Sequence, residues 1–180
     1  LNEKYQGYTM RVNRSGKHLL ELITDIIDIS KIEAGRVDIM ADDFKLDEIV
    51  CEAVEGLGQQ IERKGVSLKV DYPKDVAMHT DRRRLYQCLL NILSNAMKYT
   101  EKGEIVLTAK EQEQEVLLTV QDTGIGISEA DQVRLFEAFE RMDSHLKIKA
   151  GGTGLGLYLT KKIVTDLLQG DGGVESKPGE

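Results

Sequence analysis

Three short segments rich in asparagine or glycine constrain most tightly what this 180-residue chain can fold into. They are Asn91–Tyr99, Asp122–Gly126 and Gly152–Leu157, in that order along the chain. Glycine lets other groups approach the backbone closely, because it carries no Cβ atom. Polar side chains and open backbone in this combination are typical of a nucleotide site. We therefore expect the three segments to meet around ATP.

The second segment places a carboxylate before two glycines. Asp122 follows the mostly apolar run Val116–Gln121, so we expect a strand that ends at Asp122 in a tight turn. An ionised carboxylate accepts a hydrogen bond from an exocyclic amine such as adenine N6. Gly124 and Gly126 leave room for the backbone to lie against the flat ring. The turn therefore predicts recognition of the adenine base.

This D-T-G turn has two other interpretations. It can simply join a strand to the next helix, and aspartic proteases use the same turn to place two carboxylates that share one proton. Here Ser128 is a suitable N-cap, and Glu129 and Asp131 supply an acidic first turn, so a helix is predicted where the proteases continue in a β-loop. This difference argues against a protease.

The first segment lies on a strongly helical stretch, predicted to be capped at position 80 or 81 and to end near Tyr99. Asn91 and Asn95 are one turn apart and share a face with Lys98. Amide oxygens suit Mg²⁺, which keeps several waters and takes few protein ligands, and an ammonium suits phosphates. The alternative is that these residues only form the solvated side of the helix.

The third segment alternates Gly152, Gly154 and Gly156 before an amphipathic helix that is predicted to follow. The N–H groups of a glycine loop that leads into a helix form a cradle for anions, so we expect phosphate there. A flexible hinge would look the same. The P-loop pattern G-x-x-x-x-G-K-[ST] is absent and the dinucleotide spacing is not met, so neither of those nucleotide sites is supported.

A phenylalanine-bearing helix is predicted over Leu135–Arg141, between the second and third segments, and with it the order of motifs resembles a sensor histidine kinase. The match is to that family's ATP-binding catalytic domain, a member of the GHKL superfamily shared with gyrase and mismatch-repair ATPases. Residues Ser15–Leu20 and Asp28–Gly35 also resemble the second helix of the family's dimerisation and phosphotransfer hairpin. The resemblance implies a dimerisation helix over 1–35 and a catalytic domain over 36–180.

The resemblance also implies roles for the matching residues. Asp122 would hold the adenine, with Gly124 and Gly126 beside it, while Asn91 and Asn95 would bind Mg²⁺ and phosphate. The remaining nucleotide contacts would come from Lys98, Tyr99, Gly152, Thr153, Gly154, Leu155 and Gly156.

A mobile lid is implied between the second and third segments. Phe136 and Phe139 would anchor its start, with Phe139 also contacting the nucleotide, and the lid would run over residues 141–150. Arg141 would reach the γ-phosphate. Together with Asn91 and Lys98, it completes the set of implied catalytic residues.

The front of the chain carries apolar residues at heptad spacing, which indicates a bundle helix. A second apolar row, Leu20, Ile23 and Ile27, lies beside this seam, so the helix would need two neighbours. A homodimeric four-helix bundle supplies them, and Gly35 would end the helix. The alternative is a single helix packed on the catalytic domain. The seam consists of Leu1, Tyr5, Tyr8, Val12, Ser15, Leu19, Leu22, Ile26, Ile29 and Glu33.

The sequence departs from the family in one respect, because the segment H-E-[LF]-R-T-P-L that carries the phosphoacceptor histidine is not found. His18, His79 and His145 do not fit that pattern. Since Leu1 falls within a helical pattern, we expect a fragment cut near the hairpin. After residues 176–180 the family continues into an edge strand, which we expect this chain to lack.

The middle of the chain predicts an α/β sandwich. A helix over 44–63 is flanked by strands over 37–40 and 66–70, and strands over 104–110 and 115–121 form a hairpin. Strands and helices cluster rather than alternate strictly. The prediction is therefore an α+β fold, a two-layer sandwich in which helices cover one face of a mixed sheet.

Composition bounds the function classes. A net charge of −7 and a pI near 5.1 argue against nucleic-acid binding, and we interpret the basic triplet Arg82–Arg84 as a solvated helix start. Cys51 and Cys88 are predicted to be free thiols in a reducing compartment. No apolar run approaches the ~18 to 20 residues that cross a bilayer, so we expect no membrane contact and a cytoplasmic location, even where the parent protein is membrane-anchored.

The leading hypothesis is the ATP-binding core of a two-component histidine kinase. It would transfer the γ-phosphate to a hairpin histidine outside this chain, and thence to the receiver domain of a response regulator. One alternative is a degenerate kinase that acts as a non-catalytic scaffold for nucleotide sensing or dimerisation. Another is a GHKL serine kinase or hydrolytic ATPase, although a glutamate is expected in the hydrolytic relatives where this chain has Asn91.

Overall fold

The computed structural model describes residues 3–113, 115–140 and 152–179 of the chain. Within these ranges, secondary structure accounts for most of the residues. In chain order the elements are α1 (Glu3–Glu33), β1 (Asp42–Lys45), α2 (Leu46–Arg63), β2 (Val66–Asp71), β3 (Ala77–Thr80), α3 (Arg82–Tyr99), β4 (Gly103–Gln112), β5 (Glu115–Asp122), α4 (Glu129–Arg134) and α5 (Gly156–Lys162), which continues as a π-helical turn over Ile163–Leu167.

The main sheet has the strand order β2-β4-β5, with β2 parallel to β4 and β4 antiparallel to β5. Its inner face carries alternate apolar residues such as Ile105 and Leu107, which are buried beneath α2 and α3, whereas Leu117 on the outer face is 50% exposed. Strands β1 and β3 form a separate antiparallel ladder. The predicted α+β sandwich, with helices on one face of a mixed sheet, is confirmed.

Local capping explains where two of the helices begin. The Asp81 carboxylate accepts a hydrogen bond from the Arg84 N–H at 3.0 Å, which caps the N-terminus of α3 as predicted. The Ser128 hydroxyl accepts from the Asp131 N–H at 3.2 Å and caps α4. The chain therefore leaves β5 through the turn at Asp122 and re-enters a helix within a few residues.

Helix α1 ends at a glycine and packs on α3 and α5. Gly35 has φ 62°, its N–H donates to Ile32 O, and the Arg36 N–H donates to Lys31 O, which is the Schellman arrangement. Ile29 and Ile32 of α1 share a core with buried residues of α3, α5 and the turns beside them, namely Cys88, Leu155, Leu159, Ile163 and Leu167. Within the described residues, no helix is both long enough and apolar enough to cross a membrane.

The strand predicted over 37–40 is wrong. The strand of this region is β1, Asp42–Lys45, and Met40 has no ladder partner. Its N–H instead donates to Oδ2 of Asp81 at 3.2 Å, and its side chain is exposed. A capping residue distant in sequence therefore takes the backbone donor that a strand would have used.

Two other predictions need correction. Residues 135–139 form turns rather than the helix predicted over Leu135–Arg141, and Phe139 has φ 66°, a left-handed conformation that no α-helix contains. The triplet at the start of α3 is not simply solvated. Arg84 is largely buried and donates from Nη1 to Oδ2 of Asp28 in α1 at 3.1 Å. This ion pair joins α1 to α3.

Candidate functional site

A cleft of about 530 Å³ lies between α1, α3, α4 and the glycine-rich loop before α5. It brings together the first and third sequence segments, and polar side chains dominate its lining. The predicted site residues that line it are Asn91, Asn95, Lys98, Tyr99, Gly152, Thr153, Gly154 and Gly156. The structure therefore gathers one predicted helix face and one predicted loop around a single space.

The asparagine face of α3 is oriented by α5. Asn91 donates from Nδ2 to the hydroxyl of Thr160 at 2.8 Å, and Thr160 is buried. The opposite atom, Asn91 Oδ1, would lie 2.5 Å from a Cβ atom at Gly156. Only glycine fits at position 156, because any side chain there would displace the asparagine amide. Asn91 therefore turns its oxygen towards the glycine loop.

The glycine loop is held tightly against Phe139 and Glu140. Gly152 and Gly154 have φ 116° and 74°, which favour glycine. The carbonyl of Gly154 accepts from the Phe139 N–H at 3.0 Å, and a Cβ at Gly154 would lie 3.0 Å from Phe139 C and Glu140 O. The Lys98 ammonium lies 3.9 Å from the Cβ position of Gly152. The Lys98 ammonium therefore lies next to a loop position that has no side chain.

Leu155 and Phe139 differ in what they offer a ligand. Leu155 is 1% exposed and belongs to the core shared with α1, so only its backbone faces the loop, where its N–H donates to Thr153 Oγ1 at 3.1 Å. Phe139 is 64% exposed. The ring of Phe136 lies 5.8 Å from the Lys161 ammonium, a cation–π contact. The assignments of Leu155 and Phe139 as nucleotide-binding residues stay predictions.

The Asp122 turn adjoins the cleft rather than lining it. Oδ1 of Asp122 accepts from the Gly124 N–H at 2.9 Å and from the Thr100 hydroxyl at 3.2 Å. A Cβ at Gly124 would lie 2.6 Å from the carbonyl oxygen of Tyr99, so the turn packs directly on the end of α3. Gly126 has φ 66°, and the tail residue Lys177 passes over it. All three segments are thus contiguous.

Two carboxylates from α1 also line the cleft, and sequence reasoning did not single them out. Glu21 and Asp25 lie one turn apart, and Asp25 Oδ2 accepts from the Thr153 hydroxyl at 3.3 Å. Burial raises the pKa of Asp25 above its ordinary value of 3.8, the Thr153 hydrogen bond opposes the rise, and the charges of Asp28 and Glu21 add to it. In the sequence, the i, i+4 spacing of Glu21 and Asp25 could have indicated that the two carboxylates share one face of the helix.

Thr100 and Thr160 were missed as well, because a lone threonine in a sequence gives no functional signal. Both are buried and hydrogen-bonded to predicted site residues, Asp122 and Asn91 respectively. The predicted catalytic Arg141, and the lid assigned to residues 141–150, lie outside the described residues.

The chemistry of the cleft matches a polyphosphate ligand. Lys98 supplies one cation, and the loop supplies backbone N–H groups at the start of a helix. Arg134 of α4 is a second cation at the cleft, where it is ion-paired with Glu140. Amide oxygens from Asn91 and Asn95 are ligands of the kind that a hard divalent ion accepts. The site can therefore bind a charged nucleotide.

Comparison with known proteins also indicates an ATP-binding domain. The family model described as Histidine kinase-, DNA gyrase B-, and HSP90-like ATPase matches residues 80–180. The circadian input-output histidine kinase CikA of Synechococcus elongatus is 37% identical over 184 residues, which cover 100% of this chain and 24% of CikA. The chain spans less than a quarter of the length of the curated relatives that it matches.

Solved structures agree in fold. Full-length ShkA in complex with AMPPNP superposes with a TM-score of 0.82 and 27% identity, over 97% of this chain and 36% of ShkA. The histidine kinase ThkA in complex with the response regulator TrrA gives a TM-score of 0.77 and 23% identity, over 99% of this chain and 49% of that chain. The matched family model shows that the chain belongs to the histidine kinase-, DNA gyrase B- and HSP90-like ATPase family, and the relatives named above are histidine kinases to which it is similar over nearly its whole length.

Proposed function

We propose that the cleft binds Mg·ATP and that, in the full-length protein, this chain is the catalytic core of a protein-histidine kinase. One observation carries the proposal: Asn91, Asn95 and Lys98 of α3 line the same cleft as Gly152, Gly154 and Gly156, three loop positions without side chains. The adenine would lie at the Asp122 turn and the triphosphate at the loop. These are adjacent regions joined through the contact between Tyr99 and Gly124.

Magnesium fits the residues that are present. Asn91 Oδ1 is turned towards the loop, and Asn95 lies one turn further along the same face. Among the described residues, no group of three or more His, Cys, Asp or Glu side chains is arranged to hold a metal alone. We therefore propose that Asn91 and Asn95 hold the ion together with phosphate oxygens and water. When bound, Mg²⁺ would neutralise charge on the phosphates.

Phosphoryl transfer requires mainly that the reacting groups are positioned and their charge neutralised. Lys98 and the loop N–H groups would orient the γ-phosphate, and Arg141 is proposed to contact it. The acceptor is proposed to be a histidine on a partner hairpin helix, from which a response regulator takes the phosphate. The structure of ThkA with TrrA describes such a pair for that kinase, which supports a receiver domain as the partner here.

The exposed rows of α1 support a homodimer in the full-length protein. Leu20, Ile23 and Ile27 are 66%, 46% and 47% exposed, on a different side of the helix from Ile29 and Ile32. Other large apolar residues of α1 are exposed as well, and burial of such a surface would favour association. We propose that two copies of α1 meet in a four-helix bundle and that the kinase works in the cytoplasm.

The full-length protein incubated with [γ-³²P]ATP tests the function and separates it from its alternatives. We expect label that is stable in base and labile in acid, as phosphohistidine is, and loss of the label in Asn95→Ala. Acid-stable label would indicate a serine kinase. Release of inorganic phosphate without labelled protein would indicate a hydrolytic ATPase. A folded protein that does not bind ATP at all would indicate a scaffold.

A further inference from the structure

Thr100, the residue that follows α3, is fully buried. It is the C-cap of the helix, with an extended backbone at φ −98° and ψ 111°, and its N–H donates to the carbonyl of Ala96 at 3.0 Å. This conformation turns the chain away from the helix axis. The side-chain hydroxyl lies 3.2 Å from Oδ1 of Asp122, across 22 residues of sequence.

The direction of this hydrogen bond is fixed by chemistry. An ionised carboxylate carries no proton, so the Thr100 hydroxyl is the donor and Asp122 the acceptor. The same oxygen, Oδ1, also accepts from the Gly124 N–H at 2.9 Å. Across residues 3–113, 115–140 and 152–179, no hydrogen bond reaches the other oxygen, Oδ2. Two donors therefore occupy one carboxylate oxygen and leave the second available.

Two donors on one oxygen fix the plane of the carboxylate. If either donor were lost, the Asp122 side chain could rotate and share its charge with water. A group that is fixed before the ligand arrives loses less conformational freedom on binding, and hydrogen bonds to an ionised acceptor are roughly twice as strong as neutral ones. The orientation of Oδ2 therefore matters for any amine that it is to bind.

We propose that Thr100 is a positioning residue for recognition of the 6-amino group of a purine nucleotide. Its hydroxyl and the Gly124 amide hold Oδ1, so that Oδ2 of Asp122 is presented to the amine. Thr100 does not touch the nucleotide and acts only through Asp122. The inference rests on the proposed function, in which Asp122 binds adenine, and it adds the residue that sets selectivity for 6-amino purines.

The matching experiment compares two ligands across three proteins. The ligands are Mg·ATP and the Mg²⁺ complex of purine riboside triphosphate, which has hydrogen in place of the 6-amino group. The proteins are the wild type, Thr100→Val, which removes the hydroxyl at nearly constant volume, and Thr100→Ser, which keeps it. Affinities come from calorimetric titration, and thermal unfolding of each variant reports its stability.

We expect Thr100→Val to bind ATP about 5- to 20-fold more weakly, because only part of the free energy of a hydrogen bond to a charged group appears in the affinity when the bond exists with and without ligand. The analogue should bind within about twofold of wild type. Thr100→Ser should keep the wild-type preference for ATP within about threefold, because it retains the donor. A merely structural role for Thr100 would weaken both ligands by the same factor, and that result would overturn the proposal. Unchanged ATP binding by Thr100→Val would overturn it equally.

If Thr100→Val does not fold, Thr100→Ala removes the hydroxyl without adding a methyl group, and the same comparison of ligands applies. Asp122→Ala separates this inference from the proposed function. Suppose that wild type prefers ATP over the analogue, that Asp122→Ala loses this preference and that Thr100→Val keeps it. In that case only the role of Thr100 is overturned. If wild type does not prefer ATP over the analogue, adenine recognition by Asp122 fails and the Thr100 proposal fails with it.

Discussion

Asp25 of the long N-terminal helix accepts a hydrogen bond from Thr153 of the glycine-rich loop, with 3.3 Å between Oδ2 and Oγ1. The loop proposed to receive phosphate is thus tied to an acidic side chain from another part of the chain. Glu21, one turn earlier, lines the same cleft. A triphosphate bound at the loop would lie close to both carboxylates. In this arrangement α1 therefore disfavours the ligand that the rest of the cleft favours.

Asp25→Asn should strengthen ATP binding. The amide oxygen can still accept from Thr153, but the negative charge is removed, and one charge near a phosphate in a half-exposed site is worth about three- to tenfold in affinity. Glu33→Gln is the matched control, because Glu33 bonds to Tyr158 on the same interface but does not line the cleft. Calorimetric titration at low salt measures both variants. Equal affinities for wild type and Asp25→Asn would contradict the electrostatic argument.

The same carboxyl makes the stability of the fold depend on pH. Because the folded-state pKa of Asp25 is raised above 3.8, the group favours the folded state only while it is protonated, and this contribution is lost as the pH rises through the raised pKa. Asp25→Asn cannot lose a proton. We therefore expect its melting temperature, relative to wild type, to rise from pH 3.5 towards neutrality, and a constant difference would contradict this.

Gly156→Ala should disable the site while leaving most of the fold in place. The new methyl group would lie 2.5 Å from Oδ1 of Asn91, so the amide must move and its bond to Thr160 is lost. Overpacking of this kind costs about 1 to 3 kcal/mol of stability, and we expect Mg²⁺-dependent ATP binding to fall at least about tenfold. Gly172→Ala is the control, since nothing lies within 4 Å of its Cβ position. Wild-type affinity in Gly156→Ala would show that Asn91 has no role in binding.

Arg84→Met should loosen α1 from α3. The variant leaves Asp28 largely buried without its ionic partner. We expect this to cost about 2 kcal/mol, less than the roughly 3 to 5 kcal/mol for a fully buried pair, because both side chains keep some exposure. Arg83→Met changes the neighbouring exposed residue and should cost less than about 0.5 kcal/mol. Urea unfolding gives both values. Equal losses would mean that the ion pair does not stabilise the contact.

The two cysteines should differ sharply in reactivity. Burial raises the pKa of Cys88 to about 12, with a small opposing effect from Arg84, so its reactive thiolate is scarce at pH 8. Cys51 is exposed. Iodoacetamide followed by mass spectrometry should show one rapidly modified cysteine, Cys51, and modification of Cys88 only in denaturant. Rapid modification of Cys88 in the folded protein would contradict its burial.

Features that depend on neighbouring residues could be predicted from the sequence. Asp81 and Ser128 each cap a helix by accepting a hydrogen bond from the N–H three residues later. Gly35 ends α1, where its N–H and that of Arg36 bond to the carbonyls of Ile32 and Lys31. The face shared by Asn91 and Asn95 follows from helix geometry alone. Such local patterns carry most of the fold and much of the cleft.

Features that depend on distant contacts could not be predicted. The Met40 N–H bonds to Asp81, 41 residues later, and is therefore not available to the strand that was expected over 37–40. The contact between Asp25 and Thr153 spans 128 residues, so the acidic wall of the cleft appears only when α1 packs on α5. Thr100 is polar and looks solvated in the sequence, and only its burial against Asp122 reveals a partner. Long-range packing decides these positions.

The central claim is that the cleft binds Mg·ATP, with the adenine held at Asp122. It is tested most directly by calorimetric titration of this chain with ATP, with and without Mg²⁺, beside Asp122→Ala. The account predicts binding that is strengthened by Mg²⁺ and lost in Asp122→Ala, whose melting temperature should stay near that of wild type. A folded wild-type chain that does not bind ATP, or binding that survives unchanged in Asp122→Ala, would contradict it.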